Sequence, residues 1–192
     1  MISEEIETFY PTSRQAWRLW LTENHISKQA VWLVQYKKSA NVPTISWSEA
    51  VDEALCFGWI DGIRKSMDHE RYIQFFTKRK VKSTWSKINK AKVSTVIEAG
   101  LMTESGYKSI AKAKENGSWT ILDEVEELFI PDDLESEFSR KPEAKVFFMS
   151  LSRSIRKAIL QWIAFAKRPE TKAKRITDVV ELASQKLKPK QF

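Results

Sequence analysis

The stretch Arg79-Lys-Val-Lys-Ser-Thr-Trp-Ser-Lys-Ile-Asn89 gathers cations, hydroxyls, an indole and an amide within eleven residues. The pattern turns helical after Thr84, which predicts a helix over 85–99. A helix N-terminus presents unpaired N–H groups and the positive end of the peptide dipole, so it receives anions. Ser83 or Thr84 is placed to cap that helix. Arg79 offers a planar fork for a phosphate or carboxylate. Trp85 offers a flat face, and Asn89, four residues on, shares its side of the helix. A preceding hairpin would bring Arg64, Lys65 and Tyr72 alongside. The expected ligand-binding set is therefore Arg64, Lys65, Tyr72, Arg79, Ser83, Trp85 and Asn89, lining one concave site. Asp61 is a candidate orienting carboxylate for Lys65, which lies four residues further on the same side of a strand. Its structural alternative is to satisfy amides near Gly58 and Gly62.

Other chemistry is thinly supplied. Cys56 is the single cysteine, which excludes a disulfide framework and a thiolate zinc site. It sits between Leu55 and Phe57 at a helix end, as a small buried apolar residue would. His25 and His69 are the two histidines and cannot alone hold a metal. His25 closes a helix, where a cation suits the negative end. No pair of carboxylates stands at an acid/base spacing, so the sequence leans away from an enzyme and names no catalytic residue. No cofactor is expected.

The net charge is +7 over 192 residues, with 42% hydrophobic and 30% charged, which describes a globular chain of one or two small domains. That net value hides two blocks. Residues 71–97 carry eight basic and no acidic groups, and residues 123–137 carry eight acidic and no basic groups. Opposite blocks attract, so the acidic segment is expected near the basic stretch or the cationic faces of the tail. The basic block, with Tyr72, Phe75, Phe76 and Trp85 nearby, also fits sequence-independent nucleic-acid binding as the alternative function. Against it stands the absence of a nucleic-acid motif and an aromatic alternation that suits a core. The acidic first residues differ from a basic-then-apolar export signal, and no apolar run reaches the ~20 residues that span a bilayer. A reducing cytoplasm is the expected location.

The elements that must position these groups follow from periodicity and punctuation. Trp17, Trp20 and Leu21 mark one face of a helix over 13–24. Ala30–Tyr36 is β-branched and aromatic, a strand whose apolar run suggests burial on both faces. Ser46-Trp-Ser-Glu49 is a capping box opening a helix over 46–57, and Gly58 supplies its left-handed stop. Residues 59–67 and 71–77 read as an antiparallel hairpin around Asp68-His69-Glu70. Helices over 85–99 and 103–116 end at Gly100 and Gly117. A short helix over 132–138 and helices over 142–149, 152–167 and 169–187 complete an all-helical tail. The fold class is α+β: a small antiparallel-containing sheet with flanking helices, then an all-helical C-terminal module. The expected division is 1–82 and 83–192, the tail proper spanning about 131–187.

The motif Glu49-Ala-Val-Asp-Glu-Ala-Leu-Cys-Phe-Gly-Trp-Ile-Asp-Gly62, with Phe76-Thr-Lys-Arg79 and Ser83-Thr-Trp-Ser-Lys-Ile-Asn89, resembles the YdeI or OmpD-associated family, the bacteriocin-protection proteins. Lys141-Pro-Glu-Ala144, Trp162-Ile163, Ala166-Lys-Arg-Pro-Glu-Thr171 and Arg175-Ile176 are similar to that family's helical module. The resemblance spans about residues 9–187. It implies a link to envelope stress and antimicrobial-peptide tolerance and carries no agreed reaction. Lys78 stands where the family usually has proline, which frees φ and restores a backbone donor, so Arg79 is expected to be less tightly fixed. Together these features point to a small anionic ligand or an acidic partner.

Overall fold

The computed structural model describes residues 6–192. These divide into two compact units, one formed by 6–83 with 88–119 and the other by 84–87 with 120–192.

The first unit is built on a four-stranded mixed sheet. Its strands are β1 (Thr8–Phe9), β2 (Ala30–Tyr36), β3 (Trp59–Ser66) and β4 (Arg71–Lys78), in the order β1-β2-β4-β3. β1 runs parallel to β2, while β4 is antiparallel to both β2 and β3. The hairpin turn contains no glycine. Instead, Asp68 Oδ1 accepts the amides of Glu70 and Arg71, at 2.9 and 2.7 Å, so a side chain closes the turn. An irregularity between Asp61 and Arg64 inserts one extra residue into β3.

Helices α1 (Arg14–Asn24) and α2 (Trp47–Cys56) contribute the core of this unit. Ser13 caps α1, and Ser46 with Glu49 forms the reciprocal box at the start of α2. Trp17 stacks on Trp20 at 5.1 Å and tilts against Phe76 at 5.4 Å, and Trp59 meets Trp20 edge-on. Val31 and Leu33 are fully buried, whereas Trp32 and Tyr36 are half-buried. The expected burial of β2 on both faces holds on the helix face and in part on the other, where Val34 is buried but Trp32 and Tyr36 are partly open.

α3 (Lys87–Glu98) and α4 (Glu104–Glu115) belong mainly to this unit. α3 is tied to α2 by Lys92, which pairs with Asp52 at 2.7 Å and bonds Ser48 Oγ at 2.6 Å. α4 is capped by Thr103, whose amide and hydroxyl both bond the terminal carbonyl of Cys56, at 3.1 and 2.6 Å. Those two bonds satisfy an acceptor that the end of α2 would otherwise leave orphaned. Gly106 allows that approach: a Cβ there would lie 2.4 Å from Cys56 O and 2.2 Å from Met102 Sδ.

The second unit is helical: α5 (Asp123–Glu126), α6 (Asp132–Arg140), α7 (Pro142–Ser150), α8 (Arg153–Ala164) and α9 (Pro169–Ser184). Leu134, Phe138, Phe148, Ile159, Ile163 and Val179 lie in its core. The acidic segment pairs inside this unit. Glu126 meets Lys157 and Asp133 meets Lys172, each at 2.5 Å, and Glu127 meets Lys87 at 2.8 Å. Glu135 also pairs with Lys145.

Candidate functional site

The chain from Gly58 to Arg79 folds back on itself. Trp59 pairs with Lys78, and the Arg79 amide donates to Gly58 O at 2.9 Å. Beside this junction the first unit has a cleft of about 270 Å³. Lys78, Arg79, Lys108 and Lys112 line it, with Ser105, Ser109 and His25 between them. Phe57, Trp59, Val81 and Ile26 supply its apolar walls, and no carboxylate lines it.

Each polar group arrives by a local rule. Lys108 and Lys112 follow one another at one-turn spacing on α4, as do Ser105 and Ser109. Lys108 is engaged by Glu104 at 2.6 Å, whereas Lys112 makes no ion pair among the described residues. Lys78 reaches back to bond Ile26 O at 2.6 Å. Burial pushes the Arg79 guanidinium down to about 10, opposed by attraction to the Asp61 carboxylate. It stays charged at neutral pH but has lost part of its hydration.

His25 is the group whose role the sequence concealed. Its Nδ1 lies 2.8 Å from Leu21 O and its Nε2 lies 3.0 Å from Ser105 Oγ. The two residues are 80 positions apart, and no motif joins them. Only the packing of the end of α1 against the start of α4 brings them together.

Of the expected site residues, Arg64, Lys65 and Tyr72 are engaged on the β3–β4 hairpin. Arg79 lies in the cleft. Arg64 and Tyr72 stack on each other with the guanidinium 4.5 Å from the ring, and Arg64 Nε donates to Gln74. Arg79 is seven positions beyond Tyr72, about 23 Å at strand rise, so the two are held far apart along the strand. Lys65 lies over the Trp32 ring at 4.9 Å. Asp61 does not orient Lys65. It accepts the Trp47 indole N–H at 2.9 Å, and the extra residue in β3 puts the two on opposite faces. Ser83 sits in a turn, its amide bonded to Lys80 O. The helix begins at Lys87 rather than Trp85, so Trp85 and Asn89 do not share a helical face, and Asn89 lies in the first turn of α3. Trp85 is 1% exposed and belongs to the second unit, with no open face to offer a ligand. Lys78 uses the donor that a proline would lack. Its restored amide donates to Gln29 O at 3.1 Å, and Arg79 is anchored through its own amide.

Cys56 is buried, and desolvation with the nearby Glu53 charge pushes its thiol up to about 11. No group of three or more His, Cys, Asp or Glu among the described residues could hold a metal ion. No helix among them is long and apolar enough to cross a membrane.

Two family models match the chain. One, described as Domain of unknown function (DUF8412), matches residues 9–109, more than half of the sequence. The chain belongs to the DUF8412 family. The other, described as Bacteriocin-protection, YdeI or OmpD-Associated, matches residues 127–186, so the helical tail carries that family's module. No curated protein and no solved structure matches the chain. The cleft lies within the DUF8412 part, apart from Lys112, which is three residues beyond the match. The bacteriocin-protection match falls entirely within the second unit.

Proposed function

We propose that this DUF8412 protein binds a small anionic molecule in the cleft of its first unit, in the cytoplasm, as part of protection against bacteriocins or related peptides. The observation that carries the reading is the convergence of Lys78, Arg79, Lys108 and Lys112 on a lining without a carboxylate. Partial desolvation of Arg79 favours an anion over water as its neighbour. A volume of about 270 Å³ suits a molecule the size of a phosphorylated or carboxylated metabolite. The protective context comes from the family of the helical tail.

Thermal unfolding in a titration of inorganic phosphate, at constant ionic strength, tests it. Saturable stabilisation that Lys112→Ala and Arg79→Ala both abolish is the expected result. At a hundredfold excess over Kd the gain is about 2.7 kcal/mol. A chloride titration that reproduces the whole effect would overturn it.

Nucleic acid is the second reading, favoured by one observation. Trp32 and Phe75 lie 4.8 Å apart on the partly open sheet face, with Lys65 over the indole. Binding to unrelated oligonucleotides that weakens steeply with salt and is lost in Trp32→Ala supports that reading over the cleft.

A further inference from the structure

We propose that Ser105 and His25 form a nucleophile–base pair that hydrolyses small esters carrying a negative charge. The pair shares its cleft and cations with the anion-binding reading, on which its substrate class rests.

The geometry is that of an activated serine. His25 Nε2 stands 3.0 Å from Ser105 Oγ, within the reach that proton transfer needs. His25 Nδ1 lies 2.8 Å from Leu21 O. A carbonyl oxygen only accepts, so Nδ1 carries the hydrogen and Nε2 presents its lone pair to the hydroxyl. The base thus holds its working tautomer through a backbone carbonyl instead of a carboxylate. Ring contact with Phe57, 5.0 Å between centroids, further restrains the imidazole.

Ser105 lies in the first turn of α4, directly after Glu104. Amides there have no intrahelical acceptor, and the dipole is positive. The N–H of Ser105 is the donor that such a first-turn amide would offer to the negative charge of acyl transfer. Gly58 makes room for this turn: a Cβ on it would come within 3.0 Å of Ser105 O and 3.3 Å of Ser109 Cβ. Both members of the pair line the cleft, alongside Arg79 and Lys112. Those cations select an acyl or alcohol part that bears a carboxylate or phosphate.

The step balances without a cofactor. Ser105 Oγ attacks the ester carbonyl carbon, and its proton passes to His25 Nε2. The tetrahedral intermediate collapses, the bond to the leaving oxygen breaks, and that oxygen takes the proton from His25. Water, deprotonated by His25, then attacks the acyl-serine carbonyl; the bond to Ser105 Oγ breaks, that oxygen takes the proton back from His25, and the acid is released.

Two chromogenic esters separate this proposal from the anion-binding one: neutral 4-nitrophenyl acetate and its charged counterpart, 4-nitrophenyl succinate. The full chain is expected to hydrolyse both, with higher kcat/KM on the succinate. Ser105→Ala and His25→Gln should each lower kcat/KM on both esters by at least about 100-fold while the circular dichroism spectrum is unchanged. Lys112→Ala should raise KM for the succinate alone. A fluorophosphonate probe on the unmodified protein should label Ser105, as located by peptide mass mapping, which requires no variant to fold. Absence of labelling at Ser105, or hydrolysis unaltered by Ser105→Ala, overturns the pair. Hydrolysis of both esters with no preference for the succinate overturns the charged substrate class and the anion-binding reading, and leaves the pair standing.

Discussion

Arg79, Cys56 and Trp85 each show how surroundings decide what a side chain does. The Arg79 charge is disfavoured by burial, so its folded pKa lies below its unfolded value. A basic group shifted down binds its proton more weakly in the native state. Its burden on stability is thus present at neutral pH and relieved above about 10. An anion that neutralises Arg79 reverses the shift. Phosphate stabilisation measured by thermal unfolding should therefore shrink as pH rises through about 10. Cys56 makes the opposite case. With its thiol pushed up to about 11, almost no thiolate exists at pH 8. It should resist alkylation by iodoacetamide in the native protein and react only after denaturation. Rapid native labelling would mean that the end of α2 opens readily. Trp85, 1% exposed, acts through volume. Trp85→Ala should cost about 3–5 kcal/mol in denaturant unfolding, as loss of a core aromatic does. A cost near zero would show that the indole is not a packing residue.

At the scale of elements, α1, α2 and α4 are clamped together by polar contacts inside the core. Glu53, 2% exposed on α2, accepts from Arg14 Nε at 2.5 Å and Arg18 Nη1 at 2.6 Å, both on α1. Arg18 Nη2 continues to Leu101 O, just ahead of α4. Glu53→Ala leaves two cations facing a buried void, and about 3–5 kcal/mol of stability should be lost in urea unfolding. Gly106→Ala tests the same junction sterically, because its Cβ would collide with Cys56 O. A loss of about 1–3 kcal/mol is expected. Local signals made much of this framework readable in advance. Ser46 and Glu49 announce α2, Thr103 and Gly117 bracket α4, and aromatic and β-branched residues mark the hairpin. What sequence could not show was phase and packing. One extra residue in β3 reversed the sides of Asp61 and Lys65, and the late start of α3 removed Trp85 from its helical face. The contact between His25 and Ser105 belongs to no local pattern at all.

For the molecule as a whole, the charge blocks resolve unequally. Much of the acidic segment is paired within the helical unit, where Glu126, Asp133, Glu135 and Glu137 each hold a cation of α6, α7, α8 or α9. Those pairs are largely exposed, so each contributes little and is weakened by salt. The cleft of the first unit keeps a lining without carboxylates, which explains how a modest net charge coexists with a strongly cationic local site. The sheet has a further consequence, for behaviour at high concentration. β1 pairs with only Trp32 and Leu33, but past that point Thr44 Oγ1 accepts the Tyr36 amide and Gln35 donates to Ile45 O. The 37–45 segment therefore lies along the rim that β1 leaves open. At the opposite rim, β3 is broken by its extra residue and carries exposed Arg64 and Lys65. Among the described residues neither of these stretches presents a long, straight, uncharged row of amides and carbonyls to a neighbouring molecule, which disfavours strand-by-strand growth into fibres.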